Sequence, residues 1–266
     1  MRGLLVRVLP PSKYAGLSSR LVERSVLVYS KAWGLVLSGF FEPLFYLLAF
    51  QVGLASLVGT VAGPGGQEIG FSAFVAPALL AASAMNGAVF ETLSMFYKLR
   101  FEGLYDAMLA TPMGTYDVAL GELGWTVARS SLYTTAFLGV MAMLGLTTSP
   151  WALMMIPVAV LIAITFGAVG MLCATMLRSS AQFDYVHLVV TPMFLFSTTF
   201  FPLSVYPSAG QALVQLSPLY HGIELARGFS LGVLEPVLLW HFGFLAALAG
   251  VALWATTRRI GRLLLS

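Results

Sequence analysis

Residues 71–97 read FSAFVAPALLAASAMNGAVFETLSMFY, with Glu91 as the single charged side chain. A hydrocarbon core of about 30 Å is crossed by about 20 predominantly apolar residues in a helix, so this segment is long enough to span a membrane. It ends at Lys98 and Arg100, the basic flank expected at a cytoplasmic boundary. Outward from it, comparable apolar segments lie at about 33–58, 125–146, 151–177, 185–201 and 236–257. The pattern predicts an all-α integral membrane protein of six transmembrane helices, with a single transmembrane domain over residues 1–266.

Composition agrees. Of 266 residues 59% are hydrophobic and 9% are charged, and the mean hydropathy is +0.89. An ordinary soluble domain carries roughly 25% charged residues and has no means of hiding this much apolar surface. The only cysteine, Cys173, excludes an intrachain disulfide. No cleavable signal peptide is evident, because Pro10 and Pro11 interrupt the N-terminus before any long apolar run.

Charge placement sets the orientation. Arg2, Arg7, Lys13, Arg20, Arg24 and Lys31 precede the first span, Arg178 follows the fourth, and Arg258, Arg259 and Arg262 follow the sixth. All fall on the side of Lys98 and Arg100, whereas the opposite side holds only Arg227, so both termini are expected in the cytoplasm. The net charge of +3 is spent flanking spans, which excludes a nucleic-acid-binding face. Before the first span, residues 17–29 (LSSRLVERSVLVY) place Leu17, Leu21 and Val28 near helical spacing, as in a helix of about 17–30 lying on the cytoplasmic leaflet.

No stretch supplies a nucleotide site. The outer loop GTVAGPGGQEIG, residues 59–70, is glycine-rich but lacks the Gly-Lys-Ser/Thr ending of a phosphate loop. An intramembrane hydrolase would need a nucleophile with a positioned base, and a metal enzyme would need clustered ligands. His187, His221 and His241 offer neither arrangement, so the chain is not expected to be an enzyme by itself or to hold a cofactor or metal.

Three features stand out. The inner connection starting KLRFEGLYDAMLATPM reads as a short amphipathic helix at about 100–110, closed by Thr111-Pro112. Its apolar edge, Leu104, Tyr105 and Met108, beside Arg100, Glu102 and Asp106, suits docking into a partner's groove; a solvated helix without a partner is the plainer reading. The outer segment at about 202–230 is too apolar for a free loop, and Pro202, Pro207 and Pro218 cut it into pieces too short to cross, as in a re-entrant helical pair. Within it His221, Glu224 and Arg227 either line a polar exit or pair with one another. Glu42 and Glu91 are carboxylates inside spans, which face a cavity, a partner or a neighbouring helix.

The run FLFSTTFFPLSVYPSAGQALVQLSPLYHGIELARGFSLG, residues 194–232, together with GFFEPLFYLL, FVAPALLAASAMNGAVFETL and LYDAMLATPMGTYDVALGE, resembles the type 2 family of ATP-binding-cassette export permeases. The nearest branch is that of nodulation-factor and daunorubicin-type drug exporters, and the resemblance covers essentially the whole chain. It implies a permease in the inner membrane, paired with a second identical or similar chain and with two cytoplasmic ATPase subunits that bind ATP and magnesium. It also implies that residues 100–110 form the helix coupling the ATPase to spans one, two and five. Phe194, Phe200 and Phe201, with Glu42, Glu91, His221, Glu224 and Arg227, are then expected along the pathway or its outer gate. Drugs, lipids and glycolipids are cargo in such a family, and so are polysaccharides or lipid-linked glycans; a non-transporting membrane scaffold is the remaining alternative.

Overall fold

The computed structural model describes residues 16–31, 34, 41 and 44–264. Helix α1, Ser18–Ser30, turns Leu21 and Ser25 inward and leaves Val26, Leu27 and Val28 exposed. Helix α2, Leu44–Val58, contains a π-helical stretch at Phe50–Leu54. The remainder of the first predicted span, Glu42 included, lies outside the described residues.

The outer glycine-rich loop is not irregular. Strands β1, Thr60–Ala62, and β2, Glu68–Gly70, pair antiparallel with Val61 opposite Ile69. Gly65 and Gly66 turn between them at φ +72° and +75°, a left-handed conformation that side-chain-bearing residues rarely adopt. Three-residue strands are too short to leave an alternating pattern, so the sequence shows only the turn.

Helix α3, Phe71–Leu93, is followed after a break at Ser94 by α4, Met95–Arg100, and then by α5, Leu104–Leu109. Gly103, at φ +58°, separates α4 from α5, so the helix expected at about 100–110 is present only over Leu104–Leu109, after a turn at 101–103. Helix α6, Thr115–Met143, begins well before the apolar segment at 125. Its first turns carry Asp117 and Glu122 and continue the helix beyond any hydrocarbon boundary, which hydropathy alone does not register. Asp117 caps this start by accepting from the Gly114 amide, and also accepts from the Leu17 amide at the head of α1, both at 2.9 Å.

Helices α7, Met155–Met176, α8, Phe183–Phe196, α9, Ser208–Gln215, α10, Pro218–Leu231, and α11, Val237–Leu264, complete the chain. Helix α7 is central and packs against α3, α6 and α11. Glycine makes the approach close: a Cβ at Gly170 would lie 2.2 Å from Thr92 Oγ1, and one at Gly167 would lie 2.9 Å from Leu123 Cδ1. Such contact through small residues is how helices associate where lipid removes the hydrophobic drive.

Among the described residues, Phe71–Arg100, Pro150–Met176 and Val237–Leu263 are long and apolar enough to cross a membrane. Helix α8 ends at Phe196, short of the predicted 201. There Ser197, Thr198 and Thr199 form a buried turn, with Thr198 at φ +60°. In the outer segment α9 is largely exposed, whereas α10 is buried against α3, α7 and α11.

Candidate functional site: a polar cleft and its inner linkage

Helices α2, α3, α6 and α8 enclose a cleft of about 680 Å³. One end is polar. Glu91, on α3, forms an ion pair with Arg129 of α6. The same carboxylate accepts from Trp125 Nε1 at 2.9 Å and from the Tyr29 hydroxyl at 3.0 Å. Arg129 donates through Nε to the Tyr133 hydroxyl at 2.7 Å and lies over the Tyr29 ring, 5.5 Å from its centroid. Burial and the neighbouring Glu91 carboxylate raise Tyr29 to about 12, so it remains a donor. A buried carboxylate is tolerated when it is paired and hydrogen-bonded, and Glu91 is both.

Beside this node the Asn86 side-chain oxygen is buried without a partner. His187 faces the cleft with its ring stacked on Phe90 at 4.5 Å. Tyr46 and Phe194 also line the cleft, 6.3 Å apart between centroids; outside the lining, Phe200 contacts Phe194 at 5.4 Å and Phe50 at 5.1 Å. Phe201, expected in the same lining, is instead 55% exposed and outside this cluster. The two phenylalanines follow each other beyond the end of α8, so they point to different sides.

The outer polar trio divides. Arg227 is 2% exposed; it donates to Glu224 at 2.7 Å, to the Thr198 carbonyl at 2.9 Å and to the Phe74 carbonyl at 3.4 Å, and it covers the Phe74 ring at 3.8 Å. It fixes α10 to α3 and to the Thr198 turn, which leaves it unavailable to line an exit. His221 turns the other way. Its Nδ1 lies 2.7 Å from Nδ1 of His241 on α11, and its Nε2 lies 3.0 Å from the Gln215 carbonyl. A carbonyl only accepts, so Nε2 of His221 carries its proton. His241 then supplies the shared Nδ1 proton.

At the inner end, Tyr105 is fully buried, contrary to its expected place on a docking edge. Its hydroxyl donates to Glu122 at 2.6 Å, and Lys98 Nζ donates to both oxygens of the same carboxylate at 2.9 and 2.7 Å. Burial first, and then Glu122, hold the Tyr105 hydroxyl well above the usual tyrosine range. Leu104 and Met108 are half-buried, Met108 against the core. Arg100, Glu102 and Asp106 are exposed, and the apolar side chain presented beside them is Phe101, 73% exposed. Arg129, Glu122 and Lys98 were not singled out as site residues from sequence. A usable signal was present: Lys98 stands seven positions after Glu91 and Arg129 seven positions after Glu122, the same acid-then-base order in both, which brings opposite charges together when the two segments run antiparallel.

Residues 18–230 match the family model described as ABC-2 type transporter. Nodulation protein J of Rhizobium meliloti (strain 1021) is 32% identical over 246 residues, 91% of this chain and 92% of that protein. Its counterpart in Rhizobium leguminosarum bv. viciae is also 32% identical, over 91% of this chain and 93% of its own. The inner membrane transport permease YadH of Escherichia coli (strain K12) is 24% identical over 75% of this chain and 77% of that protein. A helical membrane architecture, a cleft between its helices and a match over most of its length lead to one conclusion: the chain belongs to the ABC-2 type transporter family, as a membrane-embedded permease subunit.

Proposed function

We propose that this permease exports an amphiphilic cargo (a drug, lipid or glycolipid) outward, using ATP hydrolysed by separate cytoplasmic subunits. The observation that carries this reading is the cleft, whose lining sets the ion pair of Glu91 and Arg129 beside the aromatic rings of Tyr46, Phe90 and Phe194 and so suits a molecule with a polar head and an apolar body. In this reading the chain crosses the membrane six times, counting α2, α6 and α8 with the three long apolar helices, and α9 and α10 form a re-entrant pair at the outer face. Basic flanks place the termini in the cytoplasm. The name of the YadH relative supports the inner membrane.

In this reading the working unit is two permease chains, identical or similar, with two ATPase subunits holding ATP and magnesium. The ATPase meets the surface around Phe101. A glycan cargo is the second reading, favoured by the Tyr46, Phe90 and Phe194 rings in the cleft lining, since aromatic faces stack on sugar rings. Purification from native membrane tests the whole: an ATP-binding-cassette ATPase should copurify in equimolar amount, and amphiphiles in nanodiscs should stimulate its hydrolysis. A chain that brings down no ATPase is a scaffold and defeats the proposal.

A further inference from the structure

Two ion pairs join the same pair of consecutive segments in antiparallel register. Glu91 on α3 meets Arg129 on α6, and two turns further along Lys98 on α4 meets Glu122, two turns earlier on α6. The charge order is reversed between the rungs, so a slip of register would set like charges against each other. The break at Ser94 falls between the rungs, and α6 therefore splints it. Glu122, Thr126, Arg129 and Tyr133 follow helical spacing along one face of α6. Glu122 has a third partner, Tyr105, which comes from α5 on the connection between the two segments.

We infer that Tyr105, Glu122 and Lys98 are positioning residues that join the inner connection to the cleft as one rigid lever. This rests on the export reading above for its purpose, but its geometry stands without it. Displacing α5 moves Tyr105, which acts on α6 through Glu122. Two turns along, Arg129 carries the motion to Glu91 in the cleft wall. The carboxylate of Glu122 is 2% exposed, so little water competes for the bonds that transmit the movement.

The test has two arms. In the permease alone, in nanodiscs, spin labels replace the exposed Ala107 on α5 and Leu132 on α6. Their distance distribution should be narrow in the parent and broad in Tyr105→Phe, which removes one hydroxyl and keeps the ring. The pair Lys98→Met with Glu122→Met, which keeps volume while removing the ionic rung, should also broaden it. In the complex with ATPase, both variants should lower cargo-stimulated hydrolysis about tenfold, the effect of losing roughly 1.4 kcal/mol of coupling. The KM for ATP should be unchanged, which separates positioning from general damage. Narrow distributions in both variants overturn the lever, and so does unchanged stimulation. If the distances broaden but the parent binds no ATPase, the lever stands and the export reading fails.

Discussion

Glu91 shows how one side chain is read differently by sequence and by structure. The sequence identifies it as an expensive carboxylate in an apolar segment, but three of its partners come from residues 34 to 62 positions away, which no local pattern announces. Its pairing with Arg129 leads to a prediction. Replacing Arg129 by Met leaves the carboxylate buried and uncompensated, and should destabilise the permease by about 3–5 kcal/mol. Adding Glu91→Met should restore most of that loss, because an apolar pair of similar volume is often neutral. Thermal unfolding of the purified single and double variants measures both effects. Equal melting temperatures for the single variant and the parent would show that the pair does not hold the helices.

At the scale of elements, α5 carries the clearest revision. Leu104, Tyr105 and Met108 have the spacing of an exposed apolar edge, but Gly103 breaks the helix and Tyr105 rotates onto Glu122. The periodicity was legible and its direction was not, since a short helix has an apolar face whether that face meets a partner or its own core. Phe101, in the turn between α4 and α5, is the exposed side chain proposed above to meet the ATPase, and aromatic anchors of this type carry most of the energy of an interface. Phe101→Ala should weaken ATPase binding about 30-fold, the worth of roughly 2 kcal/mol, while leaving the melting temperature of the permease unchanged. Biolayer interferometry against immobilised permease gives the affinity. An unchanged value would move the docking surface elsewhere. The long apolar helices α3, α7 and α11 were readable from hydropathy because lipid demands it of their whole length. The start of α6 was not, because its charged first turns are stabilised by Asp117 capping and by the Glu122 cluster rather than by lipid.

For the molecule as a whole, the placement of basic residues predicts an orientation that can be measured. The hairpin of β1 and β2 lies at the N-terminal end of α3, and the Lys98 rung lies at the other end, so the two mark opposite faces of the bundle. The turn at 177–182, between α7 and α8, belongs to the same face as Lys98 by the alternation of spans, and its Arg178 adds to the positive charge there. Gln67 in the hairpin and Ser179 in the turn are both exposed, which makes them suitable for labelling. With Cys173→Ala as background, Gln67→Cys should react with a membrane-impermeant maleimide once the outer membrane is opened. Ser179→Cys should react only after the inner membrane is also broken. Lipid crossing by α3, α6 and α7, three passes in succession, requires the two positions to differ, so equal reactivity before lysis would contradict the span count. Reversed reactivity would keep the spans and invert the molecule. The Phe101 surface would then face away from the cytoplasm, out of reach of any ATP-hydrolysing subunit, and the proposed docking site would fall with it.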